Sequence, residues 1–571
     1  MPDNSFAATY HLGQYQAEID AKIQALNDQD FTTRFWQKDA TLWTQNAEAQ
    51  QSIRSFMGWL DSPEVLTKAV GEIEQFVQEV KAAGFQHVVV MGMGGSTMAP
   101  IVFDRSFEQQ GLPLSILDTT DPGTVAELEK SLLLAHTLFI VASKSGTTAE
   151  PLAFGDYFYD KVKAIKGDKA GEHFVAITDP GSKFVDQATK EGFRKIFLNF
   201  PEVGGRFSAL TYFGLVPAAL YGINISAMLH SAVEMMHSCG AQGPVAGNPG
   251  LALGAALGVL AQQGRDKLTL ITPDSLSSLG LWLEQLLAES TGKEGKGILP
   301  VAGEPLGRPD EYGQDRVFVY VGYENVADQA NPDKLTALEQ AGHPVIITRL
   351  TETTDLGREF YRWEIATAVV GIVLGINPFD QPNVQAAKTA TDKLMKEVTE
   401  KGQLPSSGQP AATQDGVSYY GDVTGADGAG VLQAFFQQAK PGDFMTLQAY
   451  LHETEQLNGQ LADFRQQVQD KLRLATTSGY GPRFLHSTGQ YHKGGPNTGL
   501  FVQFTADHPQ DLPLPGRTYT FGTFENAQAQ GDLEALRDNG RRALHIHLGP
   551  DPEKSLQTVL TALTTALSHL G

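Results

Sequence analysis

From residue 87 onward the chain is marked by short apolar runs: HVVVMG (87–92), LSILD (114–118), TLFIVA (137–142), HFVAIT (173–178) and KIFLN (195–199). Stretches with helical spacing separate them. Nearly continuous apolar strands alternating with helices predict a parallel sheet covered on both faces. A second set, KLTLIT (267–272), RVFVYV (316–321) and HPVIITRL (343–350), predicts a second doubly wound domain of similar kind. Ahead of both, residues 13 to 80 read as helical. SPEVLTKAVGEIEQFVQEVKAAG has Ser62 as an N-cap and Gly84 as a stop signal.

The pattern changes after residue 400. KGQLPSSGQPAATQDGVSYYGDVTGADGAG (401–430) is rich in Gly, Pro, Ser and Asp and reads as a linker or long loop. Beyond it the spacing predicts helices near 443–473 and 529–539, strands at 499–504 and 543–548, and a closing helix at 552–569. The expected class is α/β. Its parts are an N-terminal helical segment (1–50), two doubly wound domains (51–235 and 236–400), the linker, and a C-terminal α/β region (431–571).

Length supports that division, because 571 residues exceed what one hydrophobic core organises. A formal net charge of −22 argues against nucleic acid or an anionic membrane as partner. It does not oppose a small anionic ligand, which is held by local donors. Cys239 is the only cysteine, which excludes an internal disulfide framework and a cysteine-based metal cluster. No apolar stretch is long enough to span a bilayer, and MPDNSFAATYHLGQYQ lacks the features of a secretory signal. A cytoplasmic location is expected.

Two loops carry candidate chemistry. MGMGGSTMAP (91–100) follows the first strand, with Gly94 and Gly95 permitting close backbone approach and Ser96 supplying a hydroxyl at a helix start. SKSGTTAEP (143–151) follows the third strand and concentrates Ser143, Ser145, Thr147 and Thr148, with Lys144 among them. Each alone also reads as an ordinary turn or N-cap cluster. Together, after neighbouring parallel strands, they would meet at the carboxyl edge of the sheet, where such folds bind ligands. Donors of this density suit a phosphate monoester.

SKSGTT after a strand resembles the sugar-isomerase (SIS) domain, a doubly wound phosphosugar-binding fold. VGGRFSAL (203–210) and NPFDQPNVQAAK (377–388) resemble the two signatures of the glucose-6-phosphate isomerase family. ESTGKEGKG (289–297) resembles the segment carrying its catalytic glutamate. The resemblance covers roughly residues 35 to 400. It implies aldose–ketose isomerisation of glucose 6-phosphate and fructose 6-phosphate through a cis-enediol, with no metal or organic cofactor. It further implies Glu289 as the base, Arg206 facing the enediolate, and Lys388 acting in ring opening. Ser96, Ser143, Lys144, Ser145, Thr147 and Thr148 would hold the phosphate. Asn383 and Gln385 stand where the family usually has Gly and Glu. Family members are usually dimers, so a homodimer is expected. Two other readings fit the same loops: a non-catalytic SIS regulator that senses phosphosugars, and an isomerase of another phosphosugar such as mannose 6-phosphate.

The family's ring-opening histidine lies in a segment of the form LHS-x-GQY soon after the glutamate. Here that region holds no histidine until His343, and LHSTGQY appears at 485–491 instead. The chain therefore looks rearranged, with His486 returning to the site in space. His492 is the second candidate, and Lys493 has no assigned part. His545 and His547 alternate on a predicted strand and face one side. No third ligand is clearly spaced to make them a metal site, and a partly exposed strand face is expected.

Overall fold

The computed structural model describes residues 8–240, 247–324, 332–406 and 408–570. Its strands form three sheets. The first contains His87–Met91, Leu114–Leu117, Thr137–Ala142, Phe174–Thr178 and Lys195–Leu198, all parallel. Across this sheet the second strand lies at one edge, followed by the first, third, fourth and fifth. The chain thus winds in opposite directions from a switch point between His87–Met91 and Thr137–Ala142. The glycine-rich loop and the hydroxyl-rich loop leave the carboxyl ends of those two strands, the place where open α/β sheets take ligands.

Lys267–Ile271, Leu299–Val301, Arg316–Tyr323 and Val345–Leu350 repeat the same order in the second sheet. Thr9–His11 adds an antiparallel edge strand to it, pairing with Val345–Ile347. The N-terminal segment is therefore not purely helical: this strand precedes the helices Gln16–Asp28, Phe31–Trp36 and Ala47–Arg54.

The C-terminal region is a third winding of the same kind. Phe444–Tyr450, Ala475–Tyr480, Gly499–Thr505 and Arg542–His547 are parallel, in the order second, first, third, fourth. Two expectations need correction here. FMTLQAY (444–450) is a strand rather than the start of a helix, which begins only at Glu455. Every residue of that strand is buried, Thr446 and Gln448 included, and Met445, Leu447 and Ala449 form one face of the C-terminal core. The segment expected to be a linker holds a hairpin, Ala412–Gln414 with Val417–Tyr420, whose second strand pairs with Arg542–His547. Its Gly- and Pro-rich surroundings supply the turns, and Val417 and Tyr419 point into the C-terminal core.

Second and third sheets are joined by a buried ion pair. Arg316 donates to both oxygens of Glu304 at 2.7 and 3.0 Å, and to Thr269 Oγ1 at 2.6 Å. Glu304 Oε1 also accepts from Thr476 N at 3.3 Å, across the junction. Removing one member of such a pair leaves the other charge buried alone. Glu304→Ala should therefore cost about 3–5 kcal/mol and lower the first thermal transition, while a surface change such as Glu324→Ala leaves it in place. Calorimetry of both variants checks this. Among the described residues, no helix is long and apolar enough to cross a membrane.

Candidate active site

Two adjoining cavities, of about 270 and 400 Å³, open at the first sheet's switch point and share Ser145, Thr148, Lys388 and His486 as walls. Ser96, Gly95 and Ser143 line one, and Thr147 lines the other. The buried Ser143 Oγ has no hydrogen-bond partner within the protein, so its donor is available to a ligand. Ser145 and Thr147 hydroxyls are 2.9 Å apart. Lys144 also lines the wall, but its ammonium pairs with Asp179 and donates to the Pro201 carbonyl.

Close backbone approach explains the paired glycines. A Cβ on Gly95 would stand 1.9 Å from the Gly205 carbonyl oxygen, and one on Gly94 would stand 2.8 Å from the His486 carbonyl oxygen. Gly94 also has φ +55°, a left-handed conformation that glycine adopts without strain. This loop thus touches both the Arg206 turn and the late histidine segment.

Arg206 is buried in the short turn Gly205–Phe207. Its guanidinium donates to Ser290 Oγ (2.7 Å), Gln381 Oε1 (3.0 Å) and the carbonyls of Pro378 (2.7 Å) and Asp380 (3.0 Å). That leaves it rigidly aimed, with Nη1 3.3 Å from Glu289 Oε1. Burial pulls its pKa down, opposed by the charges of Glu289 and Asp380. Glu289 follows one turn of π-helix, Glu284–Ala288, and its other oxygen accepts from Gln285 Nε2 at 3.1 Å. Glu294, the neighbouring carboxylate, lies exposed on a turn at φ +56°.

His486 comes from the connection between the second and third strands of the third sheet, Ala475–Tyr480 and Gly499–Thr505, yet reaches the same cleft. Gln285 Nε2 donates to its carbonyl at 3.0 Å while also holding Glu289, so one amide spans the two segments. His486 Nε2 lies 2.9 Å from Glu150 Oε1, which also accepts from Gln528 Nε2 at 2.8 Å. Burial opposes a charge on Glu150, but the adjacent His486 and Lys388 outweigh it and hold the carboxyl below its usual range. An ionised Glu150 makes Nε2 the proton-bearing nitrogen, which leaves Nδ1 as the acceptor in a neutral ring.

His492, the second candidate, is elsewhere: fully buried, 3.3 Å from Gln448 Nε2, with its pKa driven down by burial. Lys493 pairs with Asp532 inside the third domain. Asn383 has a visible partner in Gln490 of the LHSTGQY segment, which accepts from its backbone N–H and donates to its side chain, both at 2.8 Å. His545 stacks on Tyr420 and shares Thr505 Oγ1 with His547, so the pair lies on one strand face but is mostly covered. His343 is buried against Arg265.

Three residues here were not singled out from the sequence. Glu150 sits within SKSGTTAEP itself, Gln285 lies one helical turn before Glu289, and Lys293 belongs to the GKEG stretch. Lys293 donates to the carbonyls of Asn377 and Asp380 at 2.7 and 2.5 Å and to Asp380 Oδ1 at 2.7 Å. It thereby clamps the glutamate segment to the 377–388 segment. Burial, with Arg206 nearby, lowers its pKa to about 8.

A switch-point cleft lined by hydroxyls, with a fixed guanidinium beside a carboxylate close by, is an arrangement suited to a small anionic ligand at the edge of an α/β sheet. Residues 51–298 match the family model described as phosphoglucose isomerase. Glucose-6-phosphate isomerase of Carboxydothermus hydrogenoformans is 31% identical over 399 residues, covering 59% of this chain and 85% of that protein. The Parabacteroides distasonis enzyme of the same name is 30% identical over 408 residues, covering 61% and 91%. A solved hypothetical protein of Thermus thermophilus superposes with TM-score 0.58 at 25% identity, over 68% of this chain and 99% of its own. The chain belongs to the glucose-6-phosphate isomerase family.

Proposed function

We propose that this protein interconverts glucose 6-phosphate and fructose 6-phosphate by proton transfer between C1 and C2. The observation that carries the reading is a hydroxyl-lined cleft walled by Lys388 and the His486–Glu150 pair, with Glu289 tied to the His486 segment through Gln285 and Arg206 tied to the wall residue Gln381. The hydroxyls of Ser96, Ser143, Ser145, Thr147 and Thr148 would anchor the phosphate. His486, oriented by Glu150, would exchange protons with the ring and anomeric oxygens, assisted by Lys388. Glu289 would then take the proton from one carbon and return it to the other. A cis-enediolate formed between these steps would face Arg206, a cation that does not surrender its proton. The pairing at 3.3 Å keeps base and cation on the same atoms of a small substrate.

A coupled assay of purified protein on fructose 6-phosphate, run beside mannose 6-phosphate, tests this. Turnover of fructose 6-phosphate to glucose 6-phosphate is expected. A folded protein that turns over only the mannose sugar, or neither, overturns the assignment. The glycine contacts make a further prediction. Gly95→Ala forces the Arg206 turn away and should lower kcat/KM about 10²-fold. Gly205→Ala, whose Cβ meets nothing within 4 Å, should be tolerated. Equal kinetics for the two variants would remove this contact from the account.

A further inference from the structure

The third sheet has a switch point of its own, between Phe444–Tyr450 and Gly499–Thr505. The loops leaving the carboxyl ends of those strands carry His452 and His508, and they meet the loop that follows Leu114–Leu117 of the first sheet. Asp121 projects from that loop as the N-cap of the helix Pro122–Ser131. The third participant, Glu525, lies in the first turns of the helix Phe521–Asp538.

From this geometry we infer that Asp121, His508 and Glu525 form a binding site for a divalent transition-metal ion of the zinc class, joining the first and third domains. One ligand atom from each residue lies within 4.8 Å of the other two, close enough for side-chain torsions to bring all three onto one ion. One imidazole and two carboxylates are a donor set such an ion accepts, with water completing the shell.

The decisive feature is Glu525. Its side chain is fully buried, and neither carboxylate oxygen has a hydrogen-bond partner in the protein. A buried, unpartnered carboxylate is costly unless a cation or proton offsets it. His508 Nε2, 3.2 Å from Glu525 Oε2, is likewise without a hydrogen bond of acceptable geometry. His508 Nδ1 is 3.8 Å from Asp121 Oδ2. The other Asp121 oxygen is already held, accepting from Thr124 N and Oγ1 at 2.6 and 2.8 Å and facing His452 Nδ1 at 3.0 Å. Such outer partners orient a metal-binding carboxylate.

The ion would not touch the sugar. It would fix the helix that also carries Gln528, one turn beyond Glu525. Gln528 accepts from Thr120 Oγ1 at 2.7 Å and donates to Glu150 at 2.8 Å. The site therefore holds together the two elements that position Glu150, whatever reaction the cleft performs.

The test uses tag-free, chelator-treated full-length protein titrated with Zn²⁺ by calorimetry and with Co²⁺ by visible absorption. One equivalent is expected per chain, with cobalt d–d bands and a rise in Tm of several degrees. Glu525→Gln keeps the side-chain shape and has no hydrogen bond to lose, so its fold is retained, as circular dichroism would verify. It and His508→Gln should each weaken binding at least about tenfold. Absence of stoichiometric binding to wild type overturns the proposal, as does binding of equal affinity in both folded variants.

Discussion

Glu289→Gln should lower kcat for fructose 6-phosphate by about 10²- to 10⁴-fold, the usual contribution of a positioned general base. The amide keeps the length of the side chain and can still accept from Gln285 Nε2, now at 3.1 Å from the carboxylate. It cannot take a carbon-bound proton. Because the hydroxyls proposed to hold the phosphate lie in other segments, KM should stay within a few-fold of wild type. A loss carried mainly by KM would mean that Glu289 binds substrate and that another group is the base. A variant retaining more than a tenth of wild-type kcat would dismiss Glu289 from the proton transfer altogether.

His486→Ala should separate two steps that Glu289 does not. Its contact with Glu150 at 2.9 Å fixes the ring, which in the proposed mechanism serves the oxygen-bound protons. The variant should therefore be impaired about 10²-fold on the cyclic sugar and much less on substrate presented in open-chain form. Glu150→Gln should share this selectivity, since it removes the charge that fixes the proton on Nε2. A double variant should be little worse than His486→Ala alone, because the pair acts as a unit. Rapid-mixing kinetics on freshly opened sugar, with all three variants, decides this. Equal impairment on both sugar forms would move His486 from ring opening to the isomerisation step.

The two sheets visible as apolar runs, and the loops that follow their strands, could be read from the chain because each signal is local. HVVVM and TLFIVA carry their burial on their face, and a serine- and threonine-dense loop has little to pack. Motif resemblance added Arg206, Glu289, Lys388 and His486; of these Lys388 and His486 line the cleft, while Arg206 and Glu289 pair with each other and are hydrogen-bonded to Gln381 and Gln285 beside it. What stayed hidden depends on distance. Glu150 is legible only as an N-terminal helix acid until its partner, 336 residues later, is seen beside it. Gln285 likewise looks like one more polar helix residue, although it links Glu289 to His486. The third sheet was obscured by FMTLQAY, a short strand read together with the helix that begins at Glu455, and by the sparse hairpin at 412–420.

The origin of His486 in the third domain has a consequence for biosynthesis. Glu289 and Arg206 are translated well before His486, and so is its partner Glu150. At about 5–20 residues per second, roughly 10–40 s separate the synthesis of Glu289 from that of His486. During that interval the ribosome carries a nascent chain with the carboxylate and arginine already made and Glu150 still lacking its imidazole. The His486–Glu150 pair can therefore form only after the C-terminal region has been made.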